Sequence, residues 1–201
     1  YMGMKAAAKK AYGTDKLEGK KVLVQGAGNV GGYLVDHLME EGASVMIADI
    51  FKDKIDKITT QHSNVEVVDP YNIASINMDI YAPCALGATI NDETIDQLTC
   101  QIIAGAANNQ LADEDKHGAA LIKKGIIYAP DYLINAGGLI NCYSELEGYN
   151  RKRALEQAEN IFDTTLEVLN QSQSTGKSSH LIANEMAEAR IDSTAQIHRS
   201  L

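Results

Sequence analysis

The 201-residue sequence predicts an α/β protein: a parallel sheet with helices on both faces, followed by a C-terminal helical extension. Two observations carry that prediction. Short apolar, β-branched runs alternate with stretches of helical spacing from residue 20 to residue 130. Beyond Asp131 the apolar residues recur only at helical steps. With 45% hydrophobic and 22% charged residues, the chain has the composition of a packed domain, or of one domain plus a helical appendix.

The chain opens on YMGMKAAAKKAYG, a run of strong helix formers that Gly13 stops. No Ser, Thr, Asp or Asn precedes the run as a cap, which predicts a fragment whose first 18 residues are a leading helix cut from an upstream domain. A frayed terminal helix is the alternative. KKVLVQG (20–26) is the first strand, and a helix follows until Gly42 closes it. SVMIADI (44–50) is the second strand, residues 52–60 a helix and VEVVD (65–69) the third strand. MDIYAP (78–83), QIIAGAA (101–107) and GIIYAP (125–130) supply three more. Helices are expected at NDETIDQL (91–98), with Asn91 as cap, and at LADEDKHGAALIKKG (111–125), stopped by Gly125. Right-handed crossovers should join the strands. Leu155, Ala158, Ile161, Phe162, Thr165, Val168 and Leu169 predict one long amphipathic helix. QSQSTGKSS (171–179) breaks it, and a last helix starts near Ala183.

Charge and composition exclude several classes. The net charge of −9 argues against a nucleic-acid surface, and the densest basic run is only Arg151, Lys152 and Arg153. No apolar run approaches the ~18 residues of a membrane span. The 3 cysteines, Cys84, Cys100 and Cys142, form no CxxC pair and fit a reducing cytoplasm. The 5 histidines show no metal-ligand spacing, so no metal is expected.

Gly26-Ala27-Gly28-Asn29-Val30-Gly31 is a G-x-G-x-x-G string placed between a strand and a helix, the context that gives it meaning. The first glycine permits the tight turn, the second lets a pyrophosphate approach the backbone, and the third lets helix and strand pack closely. The anion sits at the positive end of the following helix. Asp49 ends the second strand 23 residues after Gly26, near the expected ~20, where a carboxylate accepts hydrogen bonds from ribose hydroxyls. Its charge repels the extra phosphate of NADP by roughly 4 kcal/mol at about 4 Å. Lys52 and Lys54 lie close by, but exposed pairs contribute only about 0–1 kcal/mol, so NAD is the expected cofactor. The reading is a Rossmann-type doubly wound sheet over residues 19–134, with residues 135–201 as helices packing on it and facing a cleft. The bland alternative is a glycine turn with Asp49 on the surface.

VLVQGAGNVGGYLVDHL, APCALGATIND (82–92), IIAGAANNQL (102–111) and APDYLINAGGLIN (129–141) resemble the amino-acid dehydrogenases acting on glutamate, leucine, phenylalanine and valine. The joined strings, with ELEGYN, are most similar to the leucine branch, and the resemblance covers nearly the whole chain. It implies reversible oxidative deamination, NAD accepting the α-hydride and the resulting imine being hydrolysed to a 2-oxo acid and ammonia. The resemblance also implies two domains with the amino acid between them, the N-terminal one carrying the carboxylate-binding and catalytic lysines and an aspartate. This chain shows no counterpart: its lysines at 5, 9, 10, 123, 124, 152 and 177 lie on helix-like or tail segments and read as solvated. No catalytic residue is therefore expected here, and the chain alone should not turn over.

By the same resemblance, residues 26–32, through Gly32, form the pyrophosphate loop, and Asp49 binds the adenosine ribose. Ala82, Pro83 and Cys84 border the crevice, and Ala104, Gly105, Ala106 and Asn108 line the nicotinamide side. Cys84 is a small wall residue rather than a nucleophile, since no histidine neighbours it in sequence. Asn135 offers an amide to the nicotinamide or the amino acid, or else caps a helix. Thr165 and Val168 are the candidates for a substrate pocket, although a hydroxyl departs from what a leucine side chain prefers. The expected substrate is a branched-chain L-amino acid, in a cytoplasmic homo-oligomer without nucleic-acid or membrane partners. Valine, phenylalanine or glutamate dehydrogenase, and a non-catalytic NAD(H)-sensing Rossmann module, remain alternatives.

Overall fold

The computed structural model describes residues 1–199. Its strands are β1 (Lys21–Gln25), β2 (Ser44–Ala48), β3 (Glu66–Val67), β4 (Ile80–Pro83), β5 (Ile102–Ile103) and β6 (Ile127–Tyr128). They form one parallel sheet of 6 strands in the order β3-β2-β1-β4-β5-β6. Val22 lies beside Val45 and Ile80, and Leu23 beside Met46 and Tyr81.

Side chains alternate across the pleat, so each strand feeds two cores. Val22, Val24, Ile47, Ile80 and Ala82 pack with apolar residues of α1 (Met2–Tyr12), α2 (Asn29–Glu40) and α3 (Lys52–Gln61). Leu23, Met46, Tyr81 and Ile103 face the other way, against Ile90, Ile95, Leu98 and Leu121 of α4 (Glu114–Lys124). The helix ends follow the expected chemistry. Gly13 and Gly125 take left-handed φ of 76° and 70°, and the Asp113 carboxylate caps α4 by accepting the Lys116 N–H at 2.9 Å.

Five sequence expectations need correction. Residues 91–98 are turns, not a helix. The Asn91 side chain accepts the N–H groups of Glu93 and Thr94, and the Thr94 hydroxyl donates to the Thr89 carbonyl at 2.7 Å. Such local side-chain bonds compete with a helical ladder. The third strand shrinks to an exposed two-residue edge, Glu66–Val67, paired only with β2. The long C-terminal helix divides at Asn160 into α7 (Arg151–Glu159) and α8 (Ile161–Thr175), leaving Leu155 exposed. The last helix, α9 (Ser179–Arg199), starts earlier, where the Ser179 hydroxyl donates to the Tyr128 carbonyl at 2.6 Å. Lys5 is not solvated: its side chain is mostly buried, its ammonium 2.5 Å from Glu41. Two further helices, α5 (Asp131–Ile134) and α6 (Gly137–Leu146), have no separate place in the sequence reading; α5 is a single turn, and α6 opens on Gly137 and Gly138, which are poor helix formers.

The Glu41 carboxylate also accepts from the Tyr1 hydroxyl and from the Leu17 N–H, tying α1 and its following loop to the end of α2. Burial works to raise its pKa, but the Lys5 ammonium, the Tyr1 hydroxyl and the Leu17 N–H together hold it below the usual carboxylate value.

Candidate nucleotide site at the strand ends

β1 lies between β2 and β4, so the chain reverses its order there and leaves a crevice at the carboxyl ends of both strands. Gly26, the first residue past β1, has φ of 115°, where a β-carbon is strained, and that β-carbon would lie 2.9 Å from Ala85. At Gly31 a β-carbon would lie 1.9 Å from the Gly26 carbonyl oxygen. The protein itself thus accounts for these two glycines. Gly28 is different: its φ of −71° suits any residue, and a β-carbon there would meet nothing within 4 Å. Gly32 likewise faces open space. Gly28 is the N-cap of α2, and no side chain caps the first turn. Its bare backbone and free N–H groups form an anion seat that fits a pyrophosphate. Ala27 is buried beneath it, and Asn29 and Val30 stand exposed beside it.

Asp49 follows β2 directly. One carboxylate oxygen accepts the Ala27 N–H at 2.7 Å and the other the Phe51 N–H at 2.9 Å. The side chain therefore clasps the glycine turn to the next one, with lone pairs to spare for hydroxyl donors. It borders a cavity of about 310 Å³ with Gln25, Phe51, Lys54 and Leu86. Lys54 sits over the Phe51 ring at 4.4 Å, and Lys52 pairs with Asp56 at 2.6 Å.

At the next strand ends, Ala82 and Pro83 are buried, and the Cys84 N–H donates to the Gln25 carbonyl at 2.7 Å. Burial pushes the Cys84 thiol up, the opposite of an activated thiolate. A β-carbon on Gly105 would lie 2.1 Å from the Pro83 carbonyl oxygen, so β4 and β5 finish in backbone contact. Ala104, Gly105 and Ala106 share a cavity of about 160 Å³ with Val30, Tyr33 and Ile134. The Asn135 side chain donates to the Asn108 side-chain oxygen at 2.6 Å and to the Ala106 carbonyl at 3.4 Å. It does not cap α6, whose N-cap is Ala136; Asn135 is instead the C-cap of α5, its backbone N–H donating to the Asp131 carbonyl.

Strand ends thus gather the glycine loop, Asp49, residues 82–84, residues 104–108 and Asn135. Thr165 and Val168 do not join them. Thr165 is buried with its hydroxyl unpaired, beside Gly3 of α1, and Val168 packs against Ile182 and Ala183 of α9. Neither borders the cavity beside residues 104–106. Sequence reasoning missed Gln25 and Tyr33, a strand terminus and an exposed helix position whose only signal is proximity to the glycine string. A roomier hollow of about 460 Å³, between Lys10, Leu121, Ile126 and Ser178, opens at the other end of β6 and shares no residue with these loops. Among the described residues no cluster suits a metal ion, and no helix is long and apolar enough to cross a membrane.

Strand order and glycine turn together define a Rossmann-type, doubly wound domain. The chain belongs to the glutamate/leucine/phenylalanine/valine dehydrogenase family, whose model matches residues 2–51 and 46–193. That family is NAD(P)-dependent. Leucine dehydrogenase of Bacillus cereus is 52% identical over 193 residues, 96% of this chain and 52% of the relative. The crystal structure of L-tryptophan dehydrogenase from Nostoc punctiforme has a TM-score of 0.92 at 44% identity, over 96% of this chain and 58% of that one. Hetero-hexameric glutamate dehydrogenase from Thermus thermophilus, in its Leu-bound form, has a TM-score of 0.74 at 21% identity, over 98% of this chain and 53% of that one, a likeness of fold. The chain spans about half the length of the curated relatives it matches.

Proposed function

We propose that this chain is the NAD-binding part of an amino-acid dehydrogenase of the leucine type, acting in reversible oxidative deamination of a branched-chain L-amino acid. The observation that carries the nucleotide reading is Gly28, a glycine required neither by its φ of −71° nor by any neighbouring atom, in front of an uncapped helix end. Its missing side chain serves something outside the chain. The substrate reading leans on the 52% identity to leucine dehydrogenase.

When bound, the nicotinamide supplies a hydride acceptor. The chain's own residues do the holding. The N–H groups after Gly28 take the pyrophosphate, and Asp49 takes the adenosine ribose and repels a 2′-phosphate. Residues 82–84 and 104–106 wall the crevice against water, and Asn135 with Asn108 orients the nicotinamide side. No proton-transfer group is assigned within this chain. The leading helix of residues 1–18 packs on the cofactor domain of 19–134, its Met4, Ala7 and Ala8 sharing a core with β1 and β4, and the helices from 135 onward, described to 199, turn toward the cleft. A cytoplasmic homo-oligomer completes the reading.

A fluorescence titration with NADH, run beside NADPH, tests it. The chain has no tryptophan, so reduced-nicotinamide emission is a clean signal. Saturable NADH binding with weaker NADPH binding is expected. Equal binding of both would remove Asp49 as selector, and binding of neither would overturn the nucleotide reading. For the protein that carries this chain, NAD-dependent oxidation of leucine is expected to exceed that of tryptophan. The reverse order would place the substrate with the tryptophan branch.

A further inference from the structure

The turn after β5 is held by two buried polar residues that face no cavity of the site. Gln110 is fully buried. Its side-chain NH2 donates to the Gly105 carbonyl at 2.6 Å and to the Ala107 carbonyl at 3.0 Å, while its backbone N–H donates to Asp131 at 2.9 Å. Asp131 is 5% exposed, and its other oxygen accepts the Tyr132 N–H at 2.7 Å. Among the described residues it forms no ion pair, so backbone N–H groups alone satisfy a buried carboxylate.

Three costly features meet in this short stretch. The Gln110 side-chain oxygen is buried without a partner, although its NH2 is fully spent. Asn109 sits at φ of 51° and accepts the Ala88 N–H at 2.7 Å, and Ala88 itself sits at φ of 55°. Asp131 is the third. Strain and unsatisfied polar groups persist where the surroundings must fix one geometry. Here the geometry fixed is that of residues 105–107. Gln110 pulls the carbonyls of Gly105 and Ala107 inward, and Asn135 takes the Ala106 carbonyl from the other side.

We infer that Gln110, anchored by Asp131, is a positioning residue that sets the backbone of residues 105–107 against the nicotinamide end of the cofactor. This inference rests on the proposed NAD reading. It touches no bound atom directly and leaves the glycine loop and Asp49 alone, so its effect must be confined to one half of the dinucleotide.

ADP-ribose, which carries the adenosine and both phosphates without nicotinamide, separates the two ideas. Calorimetric titrations of the wild type, Gln110→Met and Asp131→Asn with NADH and with ADP-ribose are the test. Methionine keeps the side-chain size and removes both donors; asparagine keeps one accepting oxygen and serves if the methionine variant does not fold. The expected result is about a tenfold loss of NADH affinity in Gln110→Met, a smaller loss in Asp131→Asn, and ADP-ribose affinity unchanged in both. Equal weakening of both ligands would make the pair a general stabiliser and overturn the inference. So would unchanged NADH affinity. Wild-type protein that binds neither ligand would instead overturn the NAD reading beneath it.

Discussion

The two halves of the sheet build their share of the crevice by different means. In the first, β1 and β2 are 5 residues each, and helices α2 and α3 make the crossovers. In the second, β5 and β6 have 2 residues each, and residues 84–101 cross between β4 and β5 as turns. The first half makes its side of the crevice, the proposed nucleotide seat, from a backbone shape, a glycine turn before a helix end. The second relies on individual hydrogen bonds: Thr94 to Thr89, Ala88 to Asn109, Gln110 to Gly105 and Ala107. Regular crossovers tolerate change wherever no side chain collides. Irregular ones depend on the identity of each polar residue.

The one constraint common to both halves is steric, and it gives the largest expected effects. Gly31→Ala and Gly105→Ala each drive a β-carbon into a backbone carbonyl, at 1.9 and 2.1 Å. Overpacking of this kind costs about 1–3 kcal/mol or more, and for a chain of this size each kcal/mol lowers Tm by about 2–4 °C. Thermal melts should therefore show both variants several degrees below the wild type. A wild-type Tm for Gly105→Ala would mean that the ends of β4 and β5 are free to part.

The first half also has polar clasps, and the Glu41 one is the most buried ion pair among them. Glu41→Gln should cost more than the about 0–1 kcal/mol of an exposed pair and less than the about 3–5 kcal/mol of a fully buried one, because both partners are about four-fifths buried at 17% and 21% exposure. Its pH signature follows from the direction of the shift. A carboxylate held below its usual value stabilises the fold fully above the unfolded pKa of 4.5 and loses that contribution as pH falls through the folded one. Denaturant titrations should show wild type and Glu41→Gln converging below pH 4.5. A gap that stays constant into acid would show that the clasp carries no charge-linked stability.

Thr94 and Thr59 compare the two kinds of crossover directly. In the turn segment the Thr94 hydroxyl donates to the Thr89 carbonyl at 2.7 Å and accepts the Asn91 N–H at 3.1 Å. In α3 the Thr59 hydroxyl is shared between the Ile55 carbonyl at 3.1 Å and the Asp56 carbonyl at 3.3 Å, acceptors within its own helix. Thr94→Val should cost about 1–2 kcal/mol, and Thr59→Val should stay within about 0.5 kcal/mol. Equal costs in chemical denaturation would erase the distinction between the halves.

The same contrast explains what the sequence discloses. Strands β1, β2 and β4 are legible because burial on both faces makes each a continuous apolar run, and helices α2, α3 and α4 because their burial is periodic. Gly26-Ala27-Gly28-Asn29-Val30-Gly31 and Asp49 are legible because a backbone site needs glycine and an acid at a fixed spacing. Residues 91–98 mislead because Asn91 makes cap-like bonds to Glu93 and Thr94 whether or not a helix follows. The break at Asn160 is hidden because Leu155 keeps helical spacing while facing solvent. Gln110 is invisible for a third reason: its partners, Gly105, Ala107 and Asp131, are chosen by the fold. Polar pairing at spacings of 3, 5 and 21 residues has no period, so only the structure displays it.

The smallest expected effect on stability belongs to Gly28→Ala, and it is the variant that separates folding from binding most cleanly. Alanine fits φ of −71° and meets nothing within 4 Å. Replacing glycine lowers the entropy of the unfolded chain by about 0.4–1 kcal/mol. Alanine is the poorer N-cap by a comparable amount, so the two changes nearly cancel and Tm should stay within about 1 °C. Yet the added methyl group stands where a pyrophosphate must approach the helix end, and NADH affinity should fall at least about tenfold. Among the glycines of this loop, Gly31 should then fail mainly by melting and Gly28 mainly by losing ligand. If Gly28→Ala binds NADH as tightly as the wild type, the open space in front of α2 is not where the phosphates lie, and the first half's glycine turn is a packing device alone.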